Sequence, residues 1–246
     1  MEPTAYLHAI RDDAAALADA GEAAGPEARV PSCPEWAVAD LLGHIGTVHR
    51  WATANCDRPP DAEYLRSTQA GIEIPDDLTA RPEWVRTGAV ALFDALGSHP
   101  ADAPCWTWAP PHTVGFWQRR MAHETAMHRV DAQLAVGAAE PIEPALAADG
   151  IDEWLAIVGR RPWLDEQISG AGETIHLHCT DVEGEWLVRL APAGLEVERV
   201  HAKGDVAARG GASDLLLWMQ GRGPIDPLEV HGDAAVLDRW REVATF

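Results

Sequence analysis

The sequence predicts a two-domain α+β protein, with a four-helix bundle in residues 1–140 and a smaller α+β domain in residues 141–246. Two patterns support this prediction. Before residue 140, apolar residues recur at the three- and four-residue spacing of amphipathic helices. After residue 172, apolar and polar residues alternate, as they do in strands with one buried face. A length of 246 residues allows either one domain or two, and the change from helical spacing to alternation favours two domains.

Four helices are predicted in the first part of the chain. Pro82 stands in the first turn of the third, and Gly97 and Gly137 follow the third and the fourth. Between the first two lies the proline-rich loop GPEARVPSCPEW. The predicted helices cover residues 4–20, 36–55, 81–96 and 112–136. Four long amphipathic helices joined by loops are typical of a bundle.

The second part of the chain mixes strands and helices. A helix is predicted over 145–159 and a linker over 160–172, so that an interdomain helix and linker occupy about 141–172. Strands follow in ETIHLHCT, EWLVRLA and GLEVERVH, and the first of them places Ile175, Leu177 and Cys179 on one face. A short strand near Val206, a helix over 212–220, the strand LEVHG and the helix VLDRWREV complete the domain.

Composition and charge exclude several classes of function. The net charge of −20 argues against a nucleic-acid or anionic-membrane partner, because phosphate groups would be repelled. The four cysteines are widely scattered, which fits neither a disulfide framework nor a zinc ribbon. No signal peptide and no stretch of roughly 18 apolar residues is present in the sequence. We therefore expect a cytoplasmic, reduced protein, and the abundance of Ala and Arg suggests a GC-rich genome.

The fourth predicted helix carries charged residues where a buried helix should be apolar. In RRMAHETAMHRVDAQLA, Glu124 and His128 lie four residues apart and share one face, whereas His123 points away from it. Asp131, three residues after His128, is placed to orient that imidazole or is simply solvated. A carboxylate and an imidazole on one face are ligand types that zinc accepts. Two ligands are too few, so a third must come from elsewhere.

The second predicted helix offers that third ligand. In DLLGHIGTVHRW, His44 falls on an apolar stripe with Leu41, Val48 and Trp51 and is expected to face the bundle interior. His49 lies off this stripe and is expected to meet solvent. Metal sites in bundles are built from side chains on facing helices. The spacing alone leaves other interpretations open: a core histidine is more often satisfied by a hydrogen bond, and Glu124 with His128 is also a plain helical pair.

The sequence resembles a known family over nearly its whole length. The segments VPSCPEWAVADLLGHIGTVHRWA, WTWAPPHTVGFWQRRMAHETAMHRVDAQLA and GASDLLLWMQGRGPIDPLEVHGDAAVLDRW resemble the mycothiol-dependent maleylpyruvate isomerase family. The resemblance implies a DinB-like metal-binding four-helix bundle followed by a sterol-carrier-like α+β domain. It also implies that His44, Glu124 and His128 are the ligands of a divalent metal, usually zinc, with one coordination position open.

The same resemblance implies the co-substrate. Mycothiol, a low-molecular-weight thiol of actinobacteria, would lose its proton on entering the open position. The resulting thiolate would add to an electrophilic small molecule and be expelled in an isomerase or retained in an S-transferase. The alternative is a non-catalytic metal-binding protein, or a regulator whose bundle binds a partner helix. The sequence determines neither the substrate nor the choice between a monomer and a homodimer.

Further candidate residues follow from the sequence and the resemblance. The family's catalytic arginine in the C-terminal domain is best matched by Arg222 in MQGRGP, which could hold a substrate carboxylate or simply act as a cation at a helix C-terminus. Arg119, Arg120 and Arg129 fall off the Glu124–His128 face and are expected at solvent or the domain boundary. Cys33 is expected to be structural. Three tryptophans are candidates either for the pocket wall or for the core: Trp106, Trp108 and Trp117.

Overall fold

The computed structural model describes residues 1–157 and 170–244. The chain divides into two compact units, Met1–Glu140 and Pro141–Phe246. The first contains helices and one short hairpin, and the second contains a sheet with helices, which confirms the predicted α+β order of a helical region followed by a sheet-containing region. Most of the predicted linker, residues 160–169, lies outside the described residues.

Four long helices form the N-terminal unit, as predicted. They are α1 (Pro3–Ala24), α2 (Val38–Cys56), α3 (Arg81–Gly97) and α4 (Val114–Ala135). Helix α1 packs against α3 and α4, and α2 packs against the same two helices. The prediction that α1 ends at Gly21 was wrong. That glycine lies inside the helix, where a Cβ would stand 3.1 Å from the Leu42 side chain, and the chain turns at Gly25 instead.

A short antiparallel hairpin replaces the loop predicted before α2. Strand β1 (Arg29–Val30) pairs with β2 (Cys33–Ala37), and α2 begins only at Val38. The prediction that this helix begins at Trp36 was therefore wrong. The Asp40 carboxylate accepts the Ala37 N–H at 3.0 Å, which caps the helix two residues later than its apolar spacing suggested. The hairpin contacts both α2 and α4.

The core of the N-terminal unit is built from apolar side chains of its helices and hairpin. Gly46 lets α2 approach α3 closely, because a Cβ at this position would lie 2.2 Å from the Trp84 ring. Two 3₁₀ turns, Ser67–Gln69 and Leu78–Ala80, interrupt the long connection from α2 to α3 and were not predicted. The fully buried core residues include Leu17, Val30, Leu41, Ile45 and Val85.

The C-terminal unit is a five-stranded sheet with helices against its apolar face. The strand order is β5-β4-β3-β6-β7; β3 and β6 are parallel and the other pairs are antiparallel. Ile175, Leu177 and Cys179 are buried on one face of β3, as the alternation predicts. The elements are α5 (Pro144–Ala156), β3 (Glu173–Cys179), β4 (Glu185–Ala191), β5 (Gly194–Glu198), β6 (Val206–Gly210), α6 (Ala212–Met219), β7 (Glu229–Gly232) and α7 (Ala234–Ala244).

Tryptophans join the helices of this unit to each other and to the sheet. The rings of Trp154 in α5 and Trp240 in α7 lie 5.3 Å apart, and Trp186 in β4 donates its indole N–H to Asp152 at 2.6 Å. These large buried rings supply much of the apolar area of a small domain. In the two described ranges of the chain, no helix is long and apolar enough to cross a membrane.

Candidate metal centre

The structure brings together the three residues that the sequence singled out. His44 of α2 and Glu124 and His128 of α4 each offer a ligand atom, and these atoms lie within 4.8 Å of one another. Glu124 Oε1 stands 3.3 Å from Nε2 of His44 and 3.3 Å from Nε2 of His128. One helical turn separates Glu124 from His128, whereas His44 reaches them only because α2 packs against α4.

These distances fit a tetrahedral metal. With metal–ligand bonds of about 2.1 Å, neighbouring ligand atoms of a tetrahedral zinc site are about 3.4 Å apart. Glu124 Oε1 already has this separation from both imidazoles. Two imidazole nitrogens and a carboxylate oxygen also match the donor types that zinc prefers. The three residues therefore fit a divalent metal without rearrangement of their helices.

A buried carboxylate orients one of the imidazoles. Asp131, fully buried, lies with Oδ2 at 2.8 Å from Nδ1 of His128, and the Ser32 hydroxyl donates to its other oxygen. A proton held on Nδ1 leaves Nε2 as the nitrogen that faces Glu124. Burial alone would lower the pKa of His128, but its hydrogen bonds to Asp131 and Glu124 raise that pKa to about 9. Of the two alternatives for Asp131, these contacts favour the one in which it orients His128.

An arginine holds the other oxygen of the glutamate. Arg120 Nη2 lies 2.6 Å from Glu124 Oε2, one helical turn away. Burial would raise the pKa of the Glu124 carboxyl, but Arg120, His128 and His44 hold it well below its usual range. The expectation that Arg120 lies away from this face was wrong, because Arg120 and Glu124 are four residues apart and therefore neighbours on the same face of α4. Arg129 is also buried rather than solvent-facing, with Nε 2.7 Å from Asp13 of α1.

The two remaining histidines of these helices lie outside the centre. His49 is fully buried rather than solvated, and its Nε2 lies 2.8 Å from the Thr125 hydroxyl. That hydroxyl donates to the Met121 carbonyl, so His49 donates to it, and burial lowers the pKa of His49 to about 3. The solvent prediction failed because α4 covers this side of α2. His123 is buried with its ring edge toward Tyr6.

A cavity of about 810 Å³ opens beside His44, within the size range of small-molecule sites. His44 is not enclosed in the bundle interior as predicted; its side chain is 35% exposed, and it lines this cavity together with Val48 and Trp51 of the same stripe. Trp36 joins the cavity to the metal ligands, with its ring 5.1 Å from His44 and 6.3 Å from His128. The described lining also contains Glu35, Asp40, Gly43, Thr47, Tyr64, Ser67, Ile74 and Arg81.

Several of these lining residues were missed by the sequence analysis. Trp36, Tyr64 and Arg81 come from the hairpin, the long connection and the start of α3, where no periodic pattern marks a common surface. Arg81 brings a cation to the lining, and it donates to the carbonyls of Ala39 and Pro75. The rings of Trp36, Trp51 and Tyr64 supply aromatic walls.

The three candidate tryptophans are not among the described lining residues of this cavity. Trp106 and Trp117 are buried, with the Trp117 indole donating to the Trp106 carbonyl at 2.8 Å. Their rings pack at 5.8 and 5.3 Å from Trp51 and so support the cavity wall from behind. Trp108 packs edge-on against Phe116 at 5.4 Å. The core interpretation is the one that these contacts favour.

Arg222 lies in the C-terminal unit just after α6. Its Nη1 donates to the Gln220 carbonyl at 2.9 Å, and its backbone N–H donates to Leu217. Gly221 has a φ of 76°, which allows the tight turn that ends the helix. The contact between the guanidinium and the carbonyl of Gln220, the residue that follows the helix, agrees with the interpretation of Arg222 as a C-terminal cation, and a catalytic role stays a prediction.

Comparison with known protein families identifies the family to which the chain belongs. Residues 7–133 match the model of the mycothiol maleylpyruvate isomerase N-terminal domain, and residues 145–239 match the model of the MDMPI C-terminal domain. The first model covers the helical unit that contains the triad of candidate metal ligands, and the second covers most of the sheet-containing unit. The chain belongs to the mycothiol-dependent maleylpyruvate isomerase family.

Solved structures agree on the fold. The crystal structure of a mycothiol-dependent maleylpyruvate isomerase is 14% identical, covers 94% of this chain and 93% of its own, and superposes with a TM-score of 0.61. A histidine-to-alanine mutant of such an enzyme matches at 12% identity over 94% and 93% of the chains, with a TM-score of 0.60. A comparison with curated protein sequences finds no significant match.

Proposed function

We propose that this chain is a divalent-metal-dependent enzyme that uses mycothiol as a thiol co-substrate against an electrophilic small molecule. The observation that carries the proposal is the triad of His44, Glu124 and His128, at tetrahedral spacing and with His44 lining a cavity. Family membership supports mycothiol as the thiol. Zinc is the metal that this donor set suits best.

The chain's own residues prepare the centre for a thiol. Asp131 keeps the proton of His128 on Nδ1 and thereby leaves Nε2 as the electron-pair donor. Arg120 engages one oxygen of Glu124 and leaves Oε1 between the two imidazoles. A metal bound here would lower the pKa of a coordinated thiol, so that the thiol reacts as a nucleophile near neutral pH. Three protein ligands, rather than four, are typical of a catalytic site.

The cavity offers a place for the electrophile. Its aromatic walls, Trp36, Trp51 and Tyr64, would exclude water and position a conjugated acid beside His44. The thiolate sulfur would form a bond to one carbon of the double bond while the π electrons move into the conjugated carbonyl as an enolate, which leaves a single bond about which the acid can rotate. Return of those electrons would expel the same thiolate and complete a cis–trans isomerisation of a maleylpyruvate-like acid, whereas protonation of the enolate carbon would retain the sulfur and make the chain an S-transferase.

We also propose that Arg222 binds the carboxylate of an acidic substrate. A guanidinium forms a bidentate pair with a carboxylate, and the conjugated acid of the proposed reaction carries one. Arg81 is the competing candidate, because it belongs to that lining. The family resemblance supports Arg222, and the contact between Arg81 and two backbone carbonyls supports a structural task for Arg81.

The enzyme is tested with the zinc-loaded full chain, mycothiol, and a panel containing maleylpyruvate and other conjugated electrophiles. We expect product formation that requires both the metal and mycothiol, detected by NMR as an isomer or by mass spectrometry as a thioether. Glu124→Gln should abolish turnover, whereas Glu63→Gln, at an exposed position, should not. Stoichiometric zinc without thiol retention or thiol-dependent turnover on any member of the panel would instead favour the non-catalytic metal-binding protein.

A further inference from the structure

A second cluster of metal-binding side chains lies in the C-terminal unit. His176, His178, Glu185 and His201 each offer a ligand atom, and the four atoms lie within 4.8 Å of one another. The cluster is built from β3, β4 and the segment after β5. It shares no residue or element with the His44 centre, and neither the family resemblance nor the proposed function accounts for it.

The alternation and register of β3 and β4 place three of these side chains on one face of the sheet. His176 and His178 are two residues apart on β3 and therefore point to the same face of the sheet. His178 is the direct antiparallel partner of Glu185 on β4, so the two side chains emerge side by side. The buried residues Ile175 and Leu177 occupy the opposite, apolar face. The three ligands thus project from one rigid β-hairpin.

The distances around Glu185 resemble those of a coordination sphere. Its Oε1 lies 3.1 Å from Nδ1 of His178, and its Oε2 lies 3.5 Å from Nε2 of His176 and 2.5 Å from Nδ1 of His201. Ligand atoms on a tetrahedral zinc are about 3.4 Å apart, so shifts of about 1 Å would complete the sphere. The three imidazole centroids are separated by 5.5 to 6.2 Å.

A buried nitrogen of the cluster makes only a long contact. His176 is 7% exposed, and its Nε2 lies 3.5 Å from Glu185 Oε2 but has no hydrogen-bond partner within the described part of the chain. A buried polar atom left unsatisfied costs free energy, so such atoms are rare in native proteins. This nitrogen is directed at Glu185, at the centre of the cluster. A bound cation would satisfy it.

Glu185 forms its ion pairs with the histidines of the cluster. Within residues 1–157 and 170–244, the ion-pair partners of Glu185 are His176, His178 and His201, and no arginine or lysine is among them. The one cation of the same strand, Arg189, lies four residues further along β4 and pairs with Glu196. A carboxylate surrounded by three imidazoles is a donor set that borderline metals bind and that Mg²⁺ and Ca²⁺ do not prefer.

We propose that His176, His178, Glu185 and His201 form a second divalent-metal site, with zinc as its ion and a structural role. Four protein ligands close the tetrahedral sphere, as in structural rather than catalytic zinc sites. The ion would fasten the exposed His201, and with it the segment after β5, to the β3–β4 hairpin. The proposal does not depend on thiol chemistry at the other centre.

The test counts zinc ions in the tag-free full chain after reconstitution and removal of excess metal, by atomic emission. We expect two equivalents in the wild type and one in His178→Ala/His201→Ala, which leaves only two ligands at the second site. The double variant His44→Ala/His128→Ala should also hold one, and the combined quadruple variant none. His231→Ala, an exposed histidine of β7, is the matched control and should keep two. Because His178 and His201 are more exposed than His176, their variants should fold even if His176→Ala does not.

Cobalt supplies a second readout. Co²⁺ bound to the His44→Ala/His128→Ala protein should give the intense visible absorption of a tetrahedral site, and His201→Ala should weaken or remove it. A wild type that holds one zinc, lost entirely in the His44→Ala/His128→Ala protein, would overturn the proposal. Unchanged zinc content in His178→Ala/His201→Ala would do the same, and the cluster would then be a hydrogen-bonded group around Glu185.

Discussion

The carboxylate of Asp131 lies 2.8 Å from Nδ1 of His128, and the opposite nitrogen of that ring faces Glu124 at 3.3 Å. Both carboxylates come from the same helix as the imidazole, at positions i+3 and i−4. The ring is therefore fixed at both ends by residues whose phase the helix itself sets. Asp131 contributes through orientation, since it contacts His128 rather than the proposed metal position.

The first prediction concerns that orientation. Asp131→Asn should lower zinc affinity at the His44 centre about ten- to a hundredfold, because the amide can no longer hold the imidazole proton as a carboxylate does. Competition with a chromophoric chelator, in the His178→Ala/His201→Ala background, measures this affinity. Asp61→Asn, at an exposed position, serves as the control. Equal affinities of the Asp131→Asn and parent proteins would show that Asp131 stabilises only the fold.

The second prediction separates the ligands from their neighbours. His44→Ala and His128→Ala should each remove one zinc equivalent by atomic emission, because two ligands do not retain the ion. His123→Ala and His49→Ala should keep it, since neither ring belongs to the triad. His49→Ala should nevertheless lower the melting temperature, because His49 is fully buried and bonded to Thr125. Stoichiometric zinc in the His44→Ala protein would mean that the third ligand lies elsewhere.

The third prediction tests the substrate-binding arginine. Arg222→Ala should leave zinc content unchanged and lower kcat/KM for an acidic substrate about ten- to a hundredfold, which corresponds to the loss of a charge-assisted pair worth about 1.5–3 kcal/mol. Lysine at this position should restore part of the activity, because it lacks the planar fork. Arg81→Lys is the comparison that separates the two candidates. A lower melting temperature with unchanged kcat/KM would assign Arg222 to the helix C-terminus alone.

The fourth prediction concerns the close packing of α2 against α3 at Gly46. Gly46→Ala should destabilise the protein by about 1–3 kcal/mol, because its Cβ would stand 2.2 Å from the Trp84 ring and force the helices apart. Gly97→Ala is the matched helical control. Its Cβ meets Leu7 at 3.6 Å, so it should be neutral or stabilising by up to about 1 kcal/mol. Chemical denaturation measures both, and similar free energies of unfolding would contradict the close-approach argument.

The fifth prediction concerns thiol reactivity. Burial raises the pKa of Cys56 to about 11 and those of Cys105 and Cys179 to about 12. These groups therefore stay protonated, and unreactive, at every pH below about 10. Iodoacetamide at pH 8 should label the half-buried Cys33 at least about tenfold faster than the other three. In denaturant all four should react alike, and rapid labelling of Cys105 in the native protein would be inconsistent with its burial.

Local periodicity was sufficient to predict the long helices of the first unit and the sheet of the second. The helical spacing of the first 140 residues and the alternation after residue 172 predicted four long helices and then a sheet domain, and the structure has both. Errors arose where a residue typical of a helix end or of a loop instead served packing or pairing between elements that are distant in the sequence. Gly21 looked like a helix end but serves close packing against Leu42, and the residues before Val38 form a strand because they pair with β1.

The sequence by itself determined that Glu124, His128 and Asp131 share a face, because the helix repeat is a property of the backbone. Only the tertiary structure decided that His44, 80 residues from Glu124, completes a triad and lines a cavity. The same holds for the burial of His49 and for the cluster on β3 and β4, where strand register places His178 beside Glu185. Such contacts join residues that are far apart in the sequence. They depend on how helices pack and strands pair, and the local spacing of residues does not predict them.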